Sequence, residues 1–217
     1  MDINVISSTL CLIGYFGIGK SSLVNSFVNN SFNKNSESTI GMSYVNKTIN
    51  GENFSINLNI WDTAGQERYA ALLPMYTRDT DVILCLIDPT IREKSVEYLK
   101  KNLKFILEKR KNNPPFSVHI VVSKIDTQKN EDYKQFGENV KTLVENYLFT
   151  LNIEYTDVSL FYTSSKNFLN VEQPFLHSLE RIYREKNKNI LLKKQQSEII
   201  KLQNNEEQQK GRCYCYN

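Results

Sequence analysis

The run from Gly14 to Ser22, GYFGIGKSS, sets three glycines ahead of a lysine and two hydroxyls at the spacing G-x-x-x-x-G-K-S. A loop with these parts suits one chemistry, the holding of phosphate. Gly14, Gly17 and Gly19 let the backbone approach an anion closely. N–H groups of the loop and of the helix start, those of Ile18 and Ser22 included, then point at phosphate oxygens. Lys20 reaches β- and γ-phosphates as a positive charge, and Ser21 offers its hydroxyl to Mg²⁺.

A second group of residues stands at the end of an alternating apolar run. In WDTAGQERY, Trp61 to Tyr69, Asp62 can hold the hydration shell of that metal. Gly65 can turn its N–H to a γ-phosphate, and Gln66 can orient a water in line with it. Upstream, Thr39 in STIG can supply a second hydroxyl to the metal. Lys20, Thr39 and Gln66 are therefore the candidates for acting on the reacting phosphate. In SKID, Ser123 to Asp126, the Asp126 carboxylate can accept from both the ring N–H and the exocyclic amine of guanine, a donor pair that adenine lacks. Taken singly, Asp62 reads as a helix cap, Thr39 as a turn residue, and Lys124 with Asp126 as a surface pair. Their order and spacing together favour a nucleotide site.

Apolar runs alternating with helical periodicity supply the elements that must position these residues. Thr9 to Ile13 reads as a buried strand and Ser21 to Val28 as the helix opened by the glycine loop. Met42 to Ile49 and Phe54 to Trp61 flank Asn50-Gly51, a hairpin signal, with Phe54, Ile56, Leu58 and Ile60 alternating on one face. Val82 to Ile87 and Val118 to Val122 are continuous apolar runs suited to a parallel sheet covered on both faces. Val96, Leu99, Leu103 and Ile106 recur at helical spacing. So do Phe136, Val140, Leu143, Tyr147 and Leu151, ahead of a strand at Val158 to Tyr162 and a helix through Phe175, Leu179 and Ile182. The expected fold is α/β: a six-stranded, mostly parallel sheet with one antiparallel hairpin and helices on both faces.

Composition narrows the setting. The chain has 217 residues, 40% of them hydrophobic, enough for one core with something appended. Its net charge is +3, but the segment from Arg184 to Asn217 holds eight Lys or Arg against four Glu, a net of +4, which leaves Met1 to Tyr183 at −1. The basic character therefore belongs to the tail, and the body lacks the basic, aromatic-studded face of a nucleic-acid binder. Cys11 and Cys85 lie in apolar runs and Cys213 and Cys215 close to the end, a distribution that suits a reducing cytosol. No apolar run approaches the roughly 20 residues needed to cross a bilayer.

These motifs resemble the Ras superfamily of small GTPases, and ESTIG, WDTAGQERY and LLPMY narrow the likeness to the Rab family, nearest its early-endosomal subgroup. The resemblance covers about Thr9 to Tyr183 together with the cysteine tail. It implies a P-loop small G domain over residues 1–183 and a flexible tail over 184–217. The implied activity is a GTP-binding, slowly GTP-hydrolysing, Mg²⁺-dependent switch in vesicle traffic, on the cytosolic face of endosomal membranes. By position, Phe32 stacks on the guanine, Lys124 covers its other face, and Thr163 to Lys166, TSSK, touches the base through a backbone N–H, with Ser164, Ser165 and Lys166 at the site. Tyr44, Trp61 and Tyr76 match the aromatic trio that effectors read. An exchange factor, a GTPase-activating protein and a chaperone for the prenylated form are the other partners implied.

Three features depart from the family pattern. Tyr15 and Phe16 are large where the loop is normally small, and Phe16 stands beside the γ-phosphate, where its ring either points to solvent or crowds Gln66 and an incoming activator. That second arrangement would make the chain a GTP-binding scaffold with little hydrolysis. Ser123 replaces the family's Asn, a loss of one hydrogen bond worth roughly 0.5–1.5 kcal/mol. Asp126 to Lys166 is longer than usual, which predicts an extended surface helix. A small-molecule P-loop kinase would need an Arg-rich lid, and the sequence has no such segment. At the end, GRCYCYN places Cys215 third from the terminus, so a C-a-a-X signal does not apply. Cys213 and Cys215 resemble instead the double-cysteine tails that Rab proteins have geranylgeranylated.

Overall fold

The computed structural model describes residues 4–51, 54–110, 112–113, 115, 117–153 and 156–187. Six strands form one sheet: β1 (Asn4–Ile13), β2 (Met42–Asn50), β3 (Phe54–Thr63), β4 (Val82–Ile87), β5 (Ser117–Val122) and β6 (Asp157–Tyr162). Their order is β2-β3-β1-β4-β5-β6. Only β2 and β3 are antiparallel; every other pairing is parallel. This is the α/β sheet the sequence predicts, and the hairpin falls where Asn50-Gly51 signals it. Gly51 donates its N–H to the Phe54 carbonyl at 2.9 Å, while residues 52–53 lie outside the described set.

The helices are α1 (Lys20–Asn29), α2 (Leu73–Thr77), α3 (Arg92–Lys109), α4 (Asp132–Thr150) and α5 (173–187). A short 3₁₀ turn, Glu67–Leu72, leads into α2. Successive side chains of a strand point to opposite faces, and β1 divides its residues accordingly. Ile6, Leu10 and Leu12 enter a core with α1 and α5; Cys11 and Ile13 enter another with α2, α3 and α4. All six residues of β4 and of β5 are buried, as sheet centres covered on both faces require. In the first core Phe27 of α1 stacks on Phe175 of α5, with ring centroids 3.9 Å apart.

The long helix expected between Asp126 and Lys166 is α4, whose 19 residues bury Phe136, Val140, Val144 and Leu148. Leu143, Tyr147 and Leu151, which the periodicity also selects, are half-buried at the margin of the same stripe. Gly137 lets this helix settle on the sheet, since a Cβ there would meet Val122 Cγ2 at 2.9 Å. Cys11 and Cys85 are buried free thiols. No helix among the described residues is long and apolar enough to cross a membrane.

At the far end, residues 184–187, which composition assigns to the tail, continue α5. Lys186 donates from Nζ to the Ser7 carbonyl at 2.6 Å and to Asp81 at 2.8 Å. Residues 188–217, with Cys213 and Cys215, lie outside the described residues.

Candidate functional site

Parallel strands deliver their carboxyl ends to one edge, and ligands of open α/β sheets bind in the crevice outside those ends. Here β1 runs into Gly14, β3 into Asp62 and Thr63, β5 into Ser123, and β6 into Thr163. A cavity of about 550 Å³ opens there, lined from the phosphate loop (Phe16 to Ser22), the segment 32–39, Gly65, Ser123 to Thr127, and Ser165 with Lys166.

The loop reaches α1 through Gly19, whose φ of 103° lies in the left-handed region that side chains avoid. Lys20 follows at the first turn, buried, and donates from Nζ to the carbonyls of Gly14 at 2.8 Å and Tyr15 at 3.2 Å. Burial lowers its pKa to about 8, partly opposed by the Asp62 carboxylate. Ser21 Oγ donates to Asp62 Oδ2 at 2.5 Å and lies 2.8 Å from Thr39 Oγ1, which is 3.3 Å from the same carboxylate oxygen. Burial raises the Asp62 pKa, with the Ser21 hydrogen bond and the Lys20 charge opposing. The other carboxylate oxygen, Oδ1, is buried without a hydrogen-bond partner among the described residues. Two hydroxyls and a carboxylate from three separate segments thus converge, and this all-oxygen donor set fits a hard cation such as Mg²⁺.

Gly65 presses against the loop. A Cβ at this position would meet the Tyr15 carbonyl carbon at 2.5 Å, Lys20 Nζ at 2.6 Å and the Phe16 nitrogen at 2.6 Å. Gln66 stands half-buried beside it, but its Oε1 accepts from Arg68 Nε at 2.8 Å and it does not line the cavity. Phe16 is 44% exposed and lines the cavity mouth. Tyr15 differs from it: half-buried, it meets Tyr98 edge-on at 5.9 Å.

At the base end, Ser123 Oγ lies 2.8 Å from the Ile18 carbonyl and 3.0 Å from that of Ile87. The serine therefore ties the phosphate loop to the end of β4. Lys124, in the left-handed conformation at φ 54°, reaches back over the loop to the Gly17 carbonyl at 2.7 Å and pairs with Asp88 Oδ2 at 2.7 Å. Asp126 Oδ1 accepts from Ser164 Oγ at 2.6 Å. Phe32, half-buried, and Ile18, buried, line the cavity, while Gly14 and Ser164 are buried and do not line it. Asp88 escaped the sequence reading. Its position after the apolar run of β4 is the signal that could have found it, because the ends of β1, β3 and β5 all carry site residues.

Of the aromatic trio, Tyr44 and Trp61 are register partners across β2 and β3 with ring centroids 5.0 Å apart. Tyr44 is 51% exposed. Tyr76, on α2, is half-buried and makes no ring contact with either among the described residues.

The lowered pKa of Lys20 has two consequences. Unbound, the protein gains stability as pH rises from about 8 toward the unfolded value near 10.4, because the unfolded state then binds more protons. A bound phosphate would restore the proton, so binding of a nucleoside diphosphate at about pH 9 should take up close to one proton, and affinity should fall by up to about tenfold per pH unit above 8. Calorimetric titration in two buffers of different ionisation enthalpy measures this directly; zero uptake would contradict the buried-lysine assignment.

The Ras family model matches residues 9–184. Ras-related protein Rab-22A of Mus musculus is 33% identical over 173 residues, covering 80% of this chain and 82% of that protein. Ras-related protein Rab5 of Nicotiana tabacum is 34% identical over 183 residues, 83% of this chain and 84% of its own. Ras-related protein Rab-31 of Rattus norvegicus is 34% identical over 169 residues, 76% and 78% of the two chains. With the sheet order, the phosphate loop and the converging oxygens already in place, the chain belongs to the Rab family of Ras-like small GTPases.

Proposed function

We propose that this protein is a GTP-binding, GTP-hydrolysing switch in vesicular and endosomal membrane traffic. The observation that carries the reading is the meeting of Ser21, Thr39 and Asp62, which links a fixed helix start to the exposed segment before β2. Loops held by a γ-phosphate are released on its loss, which is the switching mode this arrangement supports.

The chain's own residues divide the work. Lys20 exchanges carbonyl contacts for phosphate oxygens, and Gly65 brings its N–H to the γ-phosphate from the opposite side. Ser21 and Thr39 would hold Mg²⁺, with Asp62 on its hydration shell, and the ion would supply charge neutralisation to the phosphate groups. Gln66 turns from Arg68 to orient the attacking water, and Asp126 accepts from guanine, braced by Ser164. A partner's arginine can add roughly 10³ to 10⁵ in rate. Exchange factor, activating protein and effectors read the exposed surface that includes Ile40, Tyr44 and Met75, and a chaperone carries the lipidated tail.

Lys20→Ala and Asp126→Ala should each weaken GDP binding at least about 100-fold, since two bonds to a charged group at about 1.5–3 kcal/mol each are lost. Wild-type affinity in either variant overturns the assignment.

One observation favours the second reading, a scaffold with little turnover: Phe16 lines the cavity while Gln66 does not. Phe16→Gly should raise single-turnover hydrolysis in the presence of an activating protein by about tenfold or more, because removing the ring lets Gln66 and the activator approach. Unchanged or slower turnover would show that the ring does not obstruct.

The tail is proposed as the membrane anchor. Two prenyl chains on Cys213 and Cys215 give stable attachment where one gives marginal binding, and the net +4 from Arg184 onward adds attraction to anionic lipid. A Cys213→Ser, Cys215→Ser variant should move to the soluble fraction of lysed cells; persistence on membranes would defeat the anchor.

A further inference from the structure

Both histidines of the chain meet outside the nucleotide cavity, where helix α5 covers the edge of the sheet. His119 of β5 stands opposite Ser159 of β6 in the strand register. Asp157, two residues before Ser159, shares its face of the strand. His177 of α5 closes over them, its ring 5.1 Å from that of His119. One ligand atom from each of His119, Asp157 and His177 lies within 4.8 Å of the others.

His119 is fully buried, and neither of its ring nitrogens has a hydrogen-bond partner among the described residues. Buried polar side chains are almost always satisfied, so such a nitrogen calls for a ligand. The neighbouring distances supply a seat for one. His177 Nε2 is 3.3 Å from Asp157 Oδ2 and 3.1 Å from Ser159 Oγ, which is 3.2 Å from the same carboxylate oxygen. A tetrahedral zinc ion with bonds of about 2.0–2.1 Å spaces its ligands about 3.3 Å apart. Three of these atoms already stand at that spacing, and His119 approaches from the buried side.

We propose that His119, Asp157 and His177 form a binding site for a zinc-class divalent cation, with Ser159 or water at the fourth position, pinning α5 to the β5–β6 edge. Two imidazoles and a carboxylate suit Zn²⁺ rather than Mg²⁺ or Ca²⁺, which take oxygen ligands. Burial first, then the neighbouring His177, pushes His119 down to about 3, with Asp157 opposing. His119 is therefore a neutral imidazole, the form that ligates metal. Arg181, one turn beyond His177, adds positive charge nearby, and its NH1 pairs with Glu185 at 3.4 Å. A Ser-His-Asp relay does not fit: Ser159 and Asp157 both approach the same nitrogen of His177, whereas a relay needs them on opposite nitrogens.

The test uses the full chain carrying Cys213→Ser and Cys215→Ser, loaded with GDP and excess Mg²⁺ so that neither tail thiols nor the nucleotide site compete. Titration with Zn²⁺, followed by calorimetry and by metal analysis after dialysis, should give about one ion per chain. Loss of an outer-shell partner alone costs about 10–100-fold in metal affinity, so His177→Gln and Asp157→Asn should each weaken binding at least about 100-fold. Both side chains are part-exposed, and retained GDP confirms folding of each variant. Zn²⁺ should also raise the Tm of the parent and leave that of the variants unmoved. No zinc on the parent, or equal zinc affinity in parent and both variants, overturns the proposal and leaves His119 as an aromatic packing residue against Phe161.

Discussion

A lysine ammonium buried at the carboxyl end of a sheet governs the arrangement around it. Lys20 has two carbonyls for company and almost no water, so its charge is held at a cost that a phosphate would offset. The glycine loop must bend to bring the Gly14 and Tyr15 carbonyls to it, and Gly65 must lack a side chain to pass so close to its Nζ. The strand order then follows a geometric demand. β1 lies between β3 and β4, so the loop after it is flanked by Asp62 on one side and Asp88 on the other.

Those two carboxylates serve opposite ends of the cavity. Asp62 gathers the Ser21 and Thr39 hydroxyls, and through Thr39 it reaches the otherwise exposed segment that precedes β2. That segment is tied once more, by the Ala64 N–H donating to the Gly41 carbonyl at 2.9 Å. A small number of directional contacts therefore holds this largely exposed segment against the site.

Asp88 pairs with Lys124, whose side chain crosses the loop to the Gly17 carbonyl. Ser123 adds a second tie from the same turn, to Ile18 and Ile87. The short side chain at this position thus braces the loop against β4, and Asp126 beside it accepts from Ser164. Outside this machinery, the histidine cluster under α5 is a separate polar island in a face otherwise filled by Val121, Phe161 and Phe175.

Much of this was legible in the sequence because its signals are local. G-x-x-x-x-G-K-S specifies a strand–loop–helix turn through glycine backbone freedom, and the continuous apolar runs of β4 and β5 announce strands covered on both faces. Asp62 was findable at the end of the alternating run of β3 and Ser123 after the continuous run of β5, whereas the segment from Thr163 was reached through the family resemblance. The tertiary structure decided what depends on residues distant in the chain. Asp88 becomes part of the site only because β4 lies beside β1, and Ser123 turns into a tether only because Ile18, 105 positions away, is brought within hydrogen-bond reach. The orientation of Gln66 toward Arg68 and the burial of Tyr15 against Tyr98 are rotamer and packing outcomes with no periodic signature. His119 and His177, 58 positions apart by number, carry no recognisable ligand spacing, and only the pairing of β5 with β6 beneath α5 brings them together.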